Sequence, residues 1–212
     1  MRQKTVRPFT LLELIAVMGV MILLAAVAIP AYSSLFAGRK TTLAANQLNG
    51  AVMEARAHAV SAKVYTALIF VKDGTGYKSF RMAEVFHDPD TENNTYNWRR
   101  WAPGTAFVLL PENTMVPATD DDFGMTTGGT EGSVGSTAMP KVGNLSHSGV
   151  SGSNAPAIIF KPNGQLAGTD NKNVVVRFVE SNRYDANKAQ TPKLPLNINW
   201  LTCKTKFLDP VQ

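Results

Sequence analysis

The side chains of this chain that could do chemistry are few. They are His58, His87, His147, Cys203 and the carboxylates of two acidic stretches. None of the histidines stands at metal-ligand spacing from another histidine or from Cys203. His58 follows Glu54 by four residues, the spacing of a surface pair on one helical face. The stretch HDPDTE offers His87, Asp88, Asp90 and Glu92, which read as a solvated loop between strands. Asp120, Asp121 and Asp122 are consecutive and lack the alternating spacing of a calcium loop. GVSG at 149–152 is one residue short of the G-x-S-x-G elbow that presents a nucleophilic serine. No phosphate-binding loop or dinucleotide fingerprint is present. A lone cysteine excludes an intrachain disulfide. The expectation is a non-enzyme with no catalytic residue, no metal ligand and no cofactor.

Binding chemistry has two further candidates. Tyr96, Trp98 and Trp101 interleave with Arg99 and Arg100, a composition that suits a ligand or partner but equally a strand with one core face. From Asn171 to the end, Lys172, Arg177, Arg183, Lys188, Lys193, Lys204 and Lys206 face only Glu180, Asp185 and Asp209. A solvated face is the plain reading. Phosphate contact with DNA is the sharper one, and Lys204 and Lys206 are its candidate contacts. They alternate in CKTKF, so on a strand they share one face while Cys203 and Thr205 take the other. Net charge is +5, but Arg2, Lys4 and Arg7 account for three of the positive charges, leaving a nearly neutral body.

The elements that must position these residues begin with an apolar segment. MRQKTVRP (1–8) is basic, and from Leu14 to Gly38 no side chain is charged. A bilayer core takes roughly 20 helical residues, so the run is long enough to span one, and the basic leader favours a cytoplasmic N-terminus. A secretory signal peptide has an apolar core of about 7–15 residues and then a cleavage site. This run is longer and continues through Pro30 into a helical pattern. Glu13 separates it from a plain anchor. A carboxylate in a spanning helix costs on the order of 2.5–3.5 kcal/mol, which suits a subunit that pairs this charge with another chain.

Ala44, Leu48, Ala51, Val52, Ala55, Ala59 and Ala62 then follow 3–4 spacing, so residues 10–63 predict one helix of about 80 Å. Strands follow at 64–71, 77–86, 106–110, 157–160, 173–180, 196–201 and 203–207, from their β-branched and aromatic runs. The first two form a hairpin across DGTG. Residues 119–156, rich in Gly, Ser and Thr, read as a flexible loop. The fold class is α+β: a long N-terminal helix, with a membrane-spanning first half, packed on an antiparallel β-sheet head.

RPFTLLELIAVMGVMILLAAVAIPAY resembles a prepilin leader followed by a type IV pilin N-terminal helix. EARAHAVSAKVYTALIFV and IIFKPNGQL resemble the helix-to-strand junction and the apolar-F-x-P-x-G turn of minor pilins of the GspH/FimT type. The resemblance implies cleavage by prepilin peptidase between Pro8 and Phe9, N-methylation of Phe9, filament assembly through Glu13 and a helix bend at Pro30. Pro8 stands where that family has a small residue, usually Gly, which predicts slow processing. The implied organisation is a leader (1–8), a transmembrane assembly helix (9–34), an amphipathic continuation (35–63) and a periplasmic β-rich head (64–212). The implied location is the inner membrane, single-pass with a periplasmic head, and then the pilus or pseudopilus. The implied partners are other pilin or pseudopilin subunits, the peptidase and the inner-membrane assembly platform. The implied function is a structural minor pilin or pseudopilin. The alternatives are a DNA-uptake minor pilin and a membrane-anchored periplasmic binding protein.

Overall fold

A computed structural model describes residues 11–88, 95–118, 123–126, 137–145, 150, 154–169, 171–182, 184 and 193–208. The chain divides into two compact units, Met1–Arg39 and Lys40–Gln212. One helix, α1 (Leu11–Ala62), runs through both. Its side chains are described at 11–26 and from 39 onward.

In the first unit, every described α1 side chain from Leu11 to Ala26 is exposed in the single chain. Leu23 and Leu24 are as open as Leu14 and Ile15, so the apolar surface goes all the way round. Among the described residues, no helix is long and apolar enough to cross a membrane. This corrects two expectations: the membrane-spanning first half of the helix, and the single-pass inner-membrane location with a periplasmic head.

In the second unit, α1 is amphipathic. Ala44, Ala45, Leu48, Val52, Ala55 and Ala59 are fully buried. Their 3–4 spacing lays one stripe on the sheet. Alanine favours the helix and allows close approach, while burying Leu48 and Val52 contributes roughly 1.5–3 kcal/mol each. The helix stops at Lys63, whose φ of 57° is the left-handed conformation that ends many helices. Ala62, expected on the buried stripe, is exposed.

The sheet carries β1 (Tyr65–Asp73), β2 (Gly76–Asp88), β3 (Thr95–Trp101), β4 (Val108–Leu109), β5 (Thr114–Pro117) and β6 (Phe123–Thr126). It continues with β7 (Thr137–Ala138), β8 (Lys141–Gly143), β9 (Ala155–Phe160), β10 (Asn173–Glu180), β11 (Leu194–Ile198) and β12 (Thr205–Phe207). The hairpin of β1 and β2 forms as expected, with Gly74 at φ 66° in its turn. Beyond that turn, a Cβ on Gly76 would sit 2.7 Å from the Met115 sulfur, so β5 needs glycine to approach β2 there.

The sheet is mixed, which corrects the antiparallel expectation: β3 and β8 run parallel. It also closes on itself. β1 pairs β9, β9 pairs β8, β8 pairs β3, β3 pairs β2, and β2 returns to β1. From β2 the sheet continues through β5 and β10 to β11 and β12. Side chains alternate across a strand, so the ring divides into two cores. Leu68, Phe70, Phe80, Met82, Ile158 and Phe160 face the cluster that holds the α1 stripe. Ala67, Ile69, Ala83, Val85, Ala157 and Ile159 face the ring interior. Barrel width grows with strand number, and a ring of so few strands is narrow, which explains the small alanines. The segment expected as a flexible loop, 119–156, carries β6, β7, β8 and the start of β9 among its described residues.

Candidate functional site

Glu13 is exposed on α1 among exposed apolar neighbours. Pro8 and Phe9, the expected cleavage and methylation positions, lie outside the described residues. Pro30 falls within α1, but its side chain also lies outside them, so the expected bend is not described.

Lys204 and Lys206 are both exposed, while Cys203 between Thr202 and Lys204 is fully buried. That matches the alternation expected from CKTKF, except that the strand begins only at Thr205. The turn from Asn199 holds the geometry: the Asn199 Oδ1 accepts from the Leu201 and Thr202 amides, and Cys203 takes φ 53°. Two bonds tie this turn and β12 to the helix. Arg56 Nη1 donates to the Thr202 carbonyl at 2.6 Å, and Thr205 Oγ1 donates to Asn49 Oδ1 at 2.7 Å. Elsewhere in the basic segment, Lys172 and Lys193 are half-buried. Arg177 is buried in β10, and Arg183 and Lys188 lie outside the described residues.

His58 does not pair with Glu54. Its Nε2 lies 3.3 Å from Glu84 Oε1 on β2. Arg100 on β3 grips the same carboxylate, with Nε 2.7 Å from Oε2 and Nη2 3.0 Å from Oε1. A buried carboxylate is thereby satisfied by a two-pronged guanidinium. The Arg100 hydrogen bond holds the Glu84 carboxyl below its ordinary value, against burial, which pushes it up, and with help from His58. A bulge between Glu84 and Val85 lets this happen. It places Trp98 and Trp101 on the ring core while Arg100 reaches the other face. Tyr96 is buried, Trp98 and Trp101 are half-buried, and Arg99 and Arg100 are exposed, as expected for a strand with one core face.

Sequence reasoning missed this cluster. The signal was present: Phe80, Met82 and Glu84 share one phase of β2, so a carboxylate stood at a core position and required a cation.

His87 lies in β2 with its ring against Tyr96 and Tyr65, at centroid distances of 4.9 and 5.5 Å. Asp90, Glu92, the Asp120–Asp122 triplet, His147 and Ser151 lie outside the described residues. Among the described residues, no group of three or more His, Cys, Asp or Glu side chains could hold a metal ion.

No family model and no curated protein matches this sequence. Among solved structures, the chain is similar to the minor pseudopilin EpsH from the Type 2 Secretion System of Vibrio cholerae. The identity is 9%, the TM-score 0.40, and the match covers 80% of this chain and 96% of that one. At that TM-score the likeness carries no functional inference.

Proposed function

We propose that this chain is a pilin-like filament subunit, a minor pilin or pseudopilin, whose apolar helix packs among the helices of neighbouring subunits. The observation that supports it most is the run Leu11–Ala26, apolar and exposed around its whole circumference and carrying Glu13. A contiguous apolar surface of this kind marks an interaction site. When neighbours cover the run, the carboxylate is buried with it, and a buried charge needs a partner. The prepilin-like motif supplies one in the amine of Phe9 on an adjacent subunit. In this reading the protein makes and breaks no bond. Its helix assembles, and the β-rich unit from Lys40 onward gives the filament its surface.

The test is incorporation. Glu13→Ala should abolish co-purification with filament subunits while leaving the chain folded by circular dichroism. Wild-type incorporation of the Ala variant would overturn the proposed role of Glu13.

A further inference from the structure

The outward side of α1 in the second unit carries a pattern that the chain itself leaves unused. Leu43, Asn46, Gly50, Met53, Ala57 and Val60 are all exposed. They follow alternating three- and four-residue steps without a break, the spacing of the a and d positions of a heptad. At 3.6 residues per turn they fall within an arc of about 100°, on the side of the helix away from the buried stripe of Ala44, Leu48, Val52, Ala55 and Ala59. Single exposed apolar residues need no explanation, but Gly50 sets this stripe apart. It stands inside the helix, where glycine is less favourable than alanine. A Cβ there would meet nothing within 4 Å, so no contact with the described residues requires its absence. Glycine on an exposed helix face does allow another element to approach closely.

A seam of this period is covered by another helix, whose side chains enter the holes between its own. The sizes of the seam residues select which helix. Laid on a second copy in the same direction and in register, the seam sets Gly50 against Gly50 and Ala57 against Ala57, and gaps remain. Laid antiparallel about the point midway between Gly50 and Met53, it sets Met53 against Gly50 twice, Leu43 against Val60 and Asn46 against Ala57. Met53 then fills the space that Gly50 leaves, and close packing without voids is what helix contacts require. The flanks agree with this orientation. Glu54 of one copy falls beside Gln47 of the other, and Arg56 beside Asn49, so no like charges meet.

We propose that this face pairs two copies of the chain through antiparallel α1 helices, with Met53 of each seated over Gly50 of the other. The contact is isologous and closes at two copies, so it stands apart from the open-ended packing of the filament reading. Six seam residues a side make a small interface, and the pairing belongs to the transient class. The test uses the full chain in detergent, which covers Leu11–Ala26. Cys203 is fully buried, so a cysteine added on the exposed face reports the contact. Leu43→Cys mixed with Val60→Cys should form the mixed disulfide under mild oxidation, read by intact mass, while neither variant links to itself. In the antiparallel pair, two copies of position 43 lie about 26 Å apart along the axis, far beyond disulfide reach. Gly50→Leu should weaken pairing at least about tenfold by sedimentation, yet raise the melting temperature, because a helix former replaces glycine. Glu13→Ala should pair as the wild type does, which separates this contact from filament incorporation. The proposal is overturned if the wild type stays monomeric at every concentration, if either cysteine variant links to itself as readily as to the other, or if Gly50→Leu pairs as tightly as the wild type.

Discussion

Arg100 holds Glu84 with two parallel hydrogen bonds of 2.7 and 3.0 Å, linking β3 to a carboxylate that also meets His58 of the helix. The carboxyl is held below its ordinary value, first by the Arg100 hydrogen bond. The sign follows from that shift. A depressed carboxyl stabilises the fold above its unfolded value, near 4.3, and the contribution is lost as pH falls through the lower, folded value. The melting temperature of the wild type should therefore exceed that of Glu84→Gln at pH 6–7, and the gap should close progressively below about pH 4. A gap that stays constant to pH 2 would contradict the linkage.

The ring interior should reject larger side chains. Ala157 is fully buried and paired with Ile69 across β1 and β9. Ala157→Leu should destabilise the protein by about 1–3 kcal/mol through overpacking, read as a lower urea midpoint at unchanged slope. A neutral or stabilising result would mean that the ring has spare volume.

Cys203 should be a slow thiol. Its Sγ lies 3.2 Å from the Gly164 carbonyl, the residue is fully buried, and burial pushes its pKa up despite the nearby Arg56. Only the thiolate reacts readily. Alkylation by iodoacetamide at pH 8 should be at least about a hundredfold faster in 8 M urea than in buffer. Comparable rates would show that the turn opens freely.

Processing tests the leader. Intact mass distinguishes a chain beginning at Met1 from a methylated one beginning at Phe9. Pro8→Gly should raise the processed fraction in cells that carry a prepilin peptidase, because proline fixes its backbone angle and constrains the residue before it. Complete processing of the native sequence would remove the expected barrier.

DNA retention should be absent or weak. Arg177 is buried, and among the described basic residues of the C-terminal segment Lys204 and Lys206 are the exposed ones. The full chain should give no mobility shift at about 100 mM salt, and converting both lysines to Glu should change nothing. A steeply salt-dependent shift that the double variant abolishes would favour the DNA-uptake reading.

Much of the helix and the longer strands was legible from side-chain periodicity. The stripe from Ala44 to Ala59 marks the buried face of α1, and NVVVRFVE coincides with β10. The short strands were not legible. β6, β7 and β8 span only two to four residues each, too few for a period, and partner strands hold them in place. The meeting of Tyr96 with Val142 in parallel joins segments far apart in the chain, and spacing carries no trace of it. His58 illustrates a related limit. Its neighbour at i−4 was visible, but its actual partner Glu84 comes from the sheet.

Closure of the ring has a consequence for behaviour at high concentration. β1, YTALIFVKD, has the apolar, β-branched composition from which cross-β stacks grow. It is paired along its length by β2 and, over Thr66–Ile69, by β9 on the other side. A strand bonded along both flanks offers no template for another chain's backbone. At high concentration the paired part of this apolar strand is therefore kept from another chain's backbone without a proline or charge to interrupt it.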